Sequence, residues 1–180
     1  IKTPYAGKKT GTIQHFKPDI QVFTDIDIPL AFYQETLKRQ AVVNAGLRFI
    51  LKDETGPDRF ETYEFLYENG IRDYVAELAG ETALTAPRYF KTERTGRDRP
   101  DKPEYRVKVE AAFCFSNAAP LIEYYHNSSF LEHGGAPDKA ARSAFVSAID
   151  AYLKKTNKYQ KNESKVSWND ISDSLILVTN

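Results

Sequence analysis

Methionine is missing altogether from this 180-residue sequence, and cysteine and tryptophan occur once each. Each shortage removes a class of explanation. With Cys114 the sole thiol, no internal disulfide can form, and zinc sites built on paired cysteines are excluded. Lysine and arginine number 25 and aspartate and glutamate 25, so no excess of one sign draws the whole chain to nucleic acid or a membrane surface. A charged partner must be met by a local patch. No apolar run approaches the ~18 residues of a membrane-spanning helix, and no secretory leader is visible. The expectation is a cytoplasmic protein with no membrane partner. The sequence opens at Ile1-Lys2-Thr3-Pro4 without an initiator methionine, which reads as a cut inside a longer chain.

What is present suits a folded domain. Apolar residues make up 41%, with 11 Tyr and 11 Phe, far from the composition of a disordered chain, and the length allows one domain with its own core. Cys114 lies in the apolar run Val109-Glu110-Ala111-Ala112-Phe113-Cys114-Phe115 and reads as a buried small hydrophobe.

There is no internal repeat. Residues 11–16 read as a strand closed by Lys17-Pro18-Asp19. Residues 28–45 read as a helix, with Phe32, Leu37, Ala41, Val42 and Leu47 roughly at three- and four-residue spacing and Gly46 as a left-handed cap. Two strands, residues 47–52 and 60–66, flank a turn at Thr55-Gly56-Pro57-Asp58. Residues 70–78 form a short amphipathic helix ending at Gly80. Residues 88–91 and 105–115 are strands around a charged loop, and residues 121–125 are another. A long helix then runs to about Asn157, with a stripe of Ala141, Phe145, Ile149 (or Ala148), Tyr152 and Leu153. Residues 158–165 are a polar loop, residues 168–173 look helical, and Leu175-Ile176-Leu177-Val178 is a final buried strand. Strands in groups with helices between them give an α+β fold.

The most informative stretch joins the strand at residues 121–125 to the long helix. It reads Asn127-Ser128-Ser129-Phe130-Leu131-Glu132-His133-Gly134-Gly135, then Ala136-Pro137-Asp138. Paired glycines permit backbone turns that other residues resist, and a proline near a helix start loses no hydrogen bond. Arg142 stands on the helix that follows.

Taken together these residues resemble the transducer, or second, domain of the type IIA DNA topoisomerase ATPase subunit, the gyrase B and topoisomerase IV B family. Gly11-Thr12 and Phe16-x-Pro18-Asp19 look like that family's strand into the domain. Leu37-Lys38-Arg39 with Asn44-x-Gly46-Leu47 is similar to its helix and following strand. Tyr67-Glu68-Asn69-Gly70-Ile71 resembles its Tyr-x-Gly-Gly-Ile segment. Asn127 and Gly134-Gly135 match its Asn-Asn…Gly-Gly stretch, Arg142 falls on an arginine of the next helix, and Asp150-Ala151-Tyr152 matches that helix's end. Asp170 and Leu175 fit a turn into the last strand.

The resemblance implies a mixed sheet packed by helices, with a left-handed βαβ crossover of the ribosomal-protein-S5-domain-2-like kind. Periodicity alone would default to the right-handed form. It also implies a division into residues 1–12, the tail of an upstream ATPase domain, and residues 13–180, a transducer domain truncated before a Gln-Thr-Lys loop. The implied activity is that of an ATP-dependent type II DNA topoisomerase, an isomerase. In it this domain couples ATP binding and dimer closure to DNA strand passage. ATP and Mg²⁺ would be bound outside this stretch, so the fragment alone would be inactive. The implied partners are double-stranded DNA, a gyrase A or topoisomerase IV A-type subunit, and a second copy of the full-length protein through the upstream domain. The isolated stretch is expected to be monomeric.

The pattern departs from the family at Ala136-Pro137, where a Thr-His pair is usual, and at Ser172-Asp173-Ser174, where Arg-Glu-Gly precedes the leucine. The insertion at residues 92–103 is also long. No catalytic, cofactor-binding or metal-ligating residue is assigned. The resemblance makes Arg142 the first candidate for DNA contact, because the matching family arginine lines the cavity that holds transported DNA, and a guanidinium there can meet phosphate without reading bases. Its plain alternative is a surface arginine paired with Asp138 one turn back. Arg97 and Arg99, in the run Lys91, Arg94, Arg97, Arg99, Lys102, Arg106 and Lys108, are further candidates. The acids Glu93, Asp98, Asp101 and Glu104 among them favour an ordinary solvated hairpin. Asn127, Gly134 and Gly135 are assigned to the turn. His126 and His133 lack a third ligand at metal-binding spacing. Two other functions compete: a MutL-like repair ATPase, and a non-catalytic interaction module that kept the fold.

Overall fold

A strand apolar at every position needs cover on both faces, and Leu175-Ile176-Leu177-Val178 receives it. The computed structural model describes residues 6–8 and 10–180. In chain order the elements are α1 (Leu30–Val43), β1 (Phe49–Gly56), β2 (Arg59–Phe65), α2 (Ile71–Ala79), β3 (Arg88–Gly96), β4 (Tyr105–Phe115), β5 (Leu121–His126), β6 (Ser129–Phe130), α3 (Gly135–Lys155), α4 (Trp168–Ser172) and β7 (Leu175–Thr179). β1 and β2 form a separate hairpin. The other five strands make one sheet in the order β3-β4-β7-β5-β6. β7 is antiparallel to β4 and parallel to β5, so the sheet is mixed and the last strand in sequence lies at its centre. Parallel neighbours need a long crossover, and α3 with α4 supplies it.

Alternation along the strands divides the core between the two faces. Ala112, Cys114, Tyr125, Ile176 and Val178 pack with Val42 of α1 and with Ile71, Tyr74 and Val75 of α2. Tyr124, Leu175 and Leu177 pack with Ile171 of α4 and against Phe145, Val146 and Ile149 of α3. The sheet is therefore a middle layer, with α1 and α2 on one face and α3 and α4 on the other. Cys114 is fully buried and burial raises its pKa, which keeps it a thiol.

One acid is caught in the first of these layers. Glu123 on β5 is 8% exposed and accepts a 3.0 Å hydrogen bond from the Tyr125 hydroxyl. Burial raises its pKa; the Tyr125 bond and the Arg39 charge oppose this without reversing it. A carboxyl that holds its proton more tightly when folded loses stability as pH climbs from the unfolded-state pKa through the folded one. Glu123→Gln keeps an acceptor for Tyr125 and removes that penalty. It is expected to raise the melting temperature at pH 7, with the gain shrinking to nothing below about pH 4, where both side chains are neutral. Melting curves of the two proteins across pH test this, and a pH-independent difference would remove the burial argument.

Several sequence expectations need correction. Residues 11–16 are not a strand: they are exposed, Ile13 at 98%, and among the described residues no strand pairs with them. A strand is stable only against a partner, and local composition cannot supply one. The assigned tail, residues 1–12, lies partly outside the described residues. Gly46 has a positive φ of 74°, but α1 ends earlier, at Val43, and the Gly46 amide donates to the Tyr67 carbonyl across the β1–β2 hairpin instead of capping the helix. The charged loop is shorter than predicted, because residues 92–96 continue β3 in register with β4. Tyr152 is 62% exposed and leaves the α3 stripe to Val146.

Candidate nucleic-acid interface

The turn before α3 is built by residues that accept unusual backbone angles. Asn127 and Ser128 have φ of 49° and 66°, with His126 paired to Ser129 on either side. Positive φ at both central residues is the requirement of the two-residue type I′ hairpin, and asparagine tolerates it well. The chain then doubles back as β6. Gly134 sits at φ 69°, ψ −62°, and the Gly135 amide donates to the His133 carbonyl at 2.7 Å. That is a three-residue γ-turn of the rare kind, which favours glycine at its centre. A Cβ on Gly134 would fall 2.7 Å from Asp138 Cβ and 3.6 Å from the Tyr124 ring. Gly135 has φ 70° but open space around it.

This close approach brings the first turn of α3 onto β5 and sets Asp138 and Arg142 above it. The Arg142 Nε donates to both Asp138 carboxylate oxygens, at 2.9 and 2.8 Å. Its guanidinium lies 5.1 Å from the centre of the Trp168 ring, a cation–π contact that flattens it against α4. Half of the side chain remains open to solvent. Beside it is a shallow cavity of about 330 Å³ lined by Tyr124, Phe130, Leu131, His133, Asp138 and Arg142. Tyr124 lines it, and the buried Tyr124 hydroxyl has no hydrogen-bond partner among the described residues. Burial first, and then the nearby Asp138 charge, raise its pKa.

The i−4 pairing with Asp138, given above as the plain alternative to a DNA contact, is thus formed. It orients the guanidinium and still leaves half of the side chain open to solvent. Nothing in the sequence singles out Trp168, and only the three-dimensional approach of α4 to α3 places it under Arg142. The α4 start is legible as Ser167-x-x-Asp170. Asp170 accepts from the Ser167 amide and hydroxyl, both at 2.7 Å, in a capping box, and these bonds lower its pKa.

Arg97 and Arg99 are not brought near this site. They lie in the β3–β4 connection, at the opposite edge of the sheet from β5 and β6. Arg97 is paired with Glu104 at 3.0 Å and donates to the Pro100 carbonyl at 3.3 Å. Arg99 is exposed and makes no ion pair among the described residues. Along the hairpin Glu93 meets Arg106 at 2.9 Å and Lys91 meets Glu110, so much of its positive charge is already neutralised.

No group of three His, Cys, Asp or Glu is placed for a metal among the described residues. The glycine turn does not fit a nucleotide phosphate either. The helix end that would attract an anion already carries Asp138, and Glu132 lines the same cavity. No helix is long and apolar enough to cross a membrane among the described residues.

A family profile described as DNA gyrase B matches residues 70–180. The chain is 29% identical to the DNA gyrase B protein of Spiroplasma citri over 182 aligned positions, covering 99% of the chain and 27% of that protein. It is 29% identical to the B-type subunit of DNA topoisomerase 4 of Bacillus subtilis, over 93% of the chain and 24% of that protein. It thus spans about a quarter of the length of these relatives. In fold it is similar to the ATPase domain of Thermus thermophilus gyrase B, solved in complex with an aminocoumarin. The TM-score is 0.63 and the identity 23%, over 91% of this chain and 42% of that one.

Proposed function

Because this chain belongs to the DNA gyrase B family, we propose that it serves as the transducer domain in the B-type subunit of an ATP-dependent type II topoisomerase, relaying nucleotide state to the passage of a DNA duplex. In this reading residues 13–180 are the transducer and residues 1–12 the end of an upstream ATPase domain. ATP and Mg²⁺ bind outside the chain, which alone does not hydrolyse ATP. The full-length protein works in the cytoplasm as a dimer with an A-type partner.

The observation that carries the DNA-facing part is Arg142. It is half-exposed, held by a bidentate carboxylate and backed by an indole, so its free donors are set in advance for a phosphate. Asp138 takes up part of the positive charge, which suits a duplex that must be met and then released. Arg97 and Arg99 belong to a secondary contact at the other edge, weakened by the Arg97–Glu104 pair.

In the longer protein, Arg142→Ala is expected to reduce DNA-stimulated ATP hydrolysis. It should also make the slope of log affinity against log salt for a duplex shallower by about 1, the signature of one lost phosphate contact. Stimulation and salt slope equal to those of the unaltered protein would remove Arg142 from the interface.

A further inference from the structure

We propose that residues 127–135 act as a strap by which α1, on one face of the sheet, sets the position of Arg142 on the other, and that Arg39 and Gln40 are positioning residues for that site. The proposal rests on Arg142 being the duplex contact; it adds what controls it.

The strap is gripped at both ends. On the α1 side, Gln40 Nε2 donates to the Ser128 carbonyl at 2.9 Å, inside the type I′ turn. The Arg39 guanidinium lies 4.1 Å from the centre of the Phe130 ring, and Glu35 holds that guanidinium at 2.6 Å. Phe130 in turn meets Tyr125, a member of the α1–α2 core, with ring centres 5.6 Å apart. One residue later the chain has changed sides. The Leu131 amide donates to the Tyr124 carbonyl at 2.8 Å, and the Leu131 side chain packs into the α3–α4 core. The Gly134 amide donates to the Leu131 carbonyl at 3.1 Å, and Gly134 is in close contact with Asp138, the residue that orients Arg142.

Phe130, the last residue of β6, therefore leans on Tyr125 of the α1–α2 core, while Leu131, just past the strand, packs into the α3–α4 core. A shift of α1 along the sheet has to move Phe130 or break the Gln40 and Arg39 contacts. A shift of Phe130 carries Leu131 and the γ-turn with it. The strap has little slack, because Asn127, Ser128, Gly134 and Gly135 all hold positive φ and the turns they form are tight. Since α1 also packs with α2 and the β1–β2 hairpin, a displacement arriving there is delivered at Arg142. Spatial continuity alone does not establish coupling, so the test is energetic.

Trp168 is the only tryptophan in the chain and lies under Arg142, so its fluorescence reports that contact. The cycle uses Arg39→Lys, which keeps the charge but loses the planar stacking surface, and Gln40→Ala, each made with Arg142 present and with Arg142→Ala. Lys38→Ala is the control: it removes the 3.0 Å Lys38–Glu77 pair, a contact of α1 with α2 rather than with the strap. Arg39→Lys and Gln40→Ala are expected to shift Trp168 emission and its acrylamide quenching in the direction Arg142→Ala does. They should produce no further shift when Arg142 is already alanine, and Lys38→Ala should leave both signals in place. Trp168 signals indifferent to Arg39 and Gln40, or shifted equally by Lys38→Ala, overturn the strap. Far-ultraviolet circular dichroism of each variant identifies any that fails to fold, and the milder Arg39→Lys then decides. Duplex binding by the same proteins separates this from the wider reading. If Arg142→Ala leaves duplex binding intact while the Trp168 cycle shows coupling, the DNA assignment fails and the strap stands. The reverse pattern removes the strap alone.

Discussion

Gly134→Ala is expected to cost about 3 kcal/mol of stability, combining backbone strain with overpacking, and to disturb the contact between Arg142 and Trp168. The backbone angle of 69° is one that L side chains rarely adopt. The added methyl would also lie 2.7 Å from Asp138 Cβ, well inside contact distance. Either α3 moves away from β5, taking Asp138 and Arg142 with it, or the γ-turn opens. Gly135→Ala provides the internal comparison. It meets the same objection to positive φ, at 70°, but nothing lies within 4 Å of the new methyl, so only the backbone share of about 1–2 kcal/mol is expected. Denaturant unfolding of both variants decides between the two contributions. Equal losses would place the effect in the backbone alone and show that the close approach of α3 to β5 has slack.

That glycine pair was legible in the sequence because two adjacent residues without side chains before a helix have few other uses. The same holds for the turn at Pro57-Asp58, for Gly80 ending α2, and for the continuous apolar run of β7. Each is a local signal with a local cause. The failures share the opposite character. Residues 11–16 read as a strand from composition, but pairing depends on a neighbour that the local sequence does not encode. β3 extends to Gly96 because β4 lies beside it in register, although the sequence there has no large apolar residue. Tyr152 keeps the helical spacing of the α3 stripe, yet it stays exposed while Val146 joins the core.

The site divides in the same way. Arg142 with Asp138 is an i, i+4 pair and could be read in one dimension. Trp168 beneath it comes from another helix, and Gln40 meets Ser128 across a separation of 88 residues. The acids interspersed in the basic run around Arg97 favour a solvated hairpin in one dimension as well. The antiparallel register turned part of that run into cross-strand ion pairs and carried it to the far edge from Arg142. On the proposed reading this leaves the pre-oriented Arg142, rather than the hairpin, as the first place to look for a duplex contact.

Leu177→Ala is expected to lower stability by about 3 kcal/mol, within the range for emptying a leucine site in a packed core. Leu177 is 1% exposed and faces the α3–α4 layer from the central strand. Val109→Ala on β4, where the side chain is 37% exposed, should cost less than about 1 kcal/mol by the same reasoning. Urea unfolding of the two variants measures the contrast, and similar midpoints would mean that β7 is not the centre of the core. The consequence reaches the site because β7 is the only strand joining β4 to β5. On one side it holds the hairpin that carries Arg97 and Arg99, and on the other the strand from which the strap and Arg142 are hung. Its last-in-sequence position means that the sheet cannot close until the whole chain from β3 onward is in place. A weakened β7 should therefore loosen both edges together, and exchange of backbone amides in β4 and β5 should quicken in parallel when Leu177 is cut back. Faster exchange in only one of the two would show that the two edges are held independently.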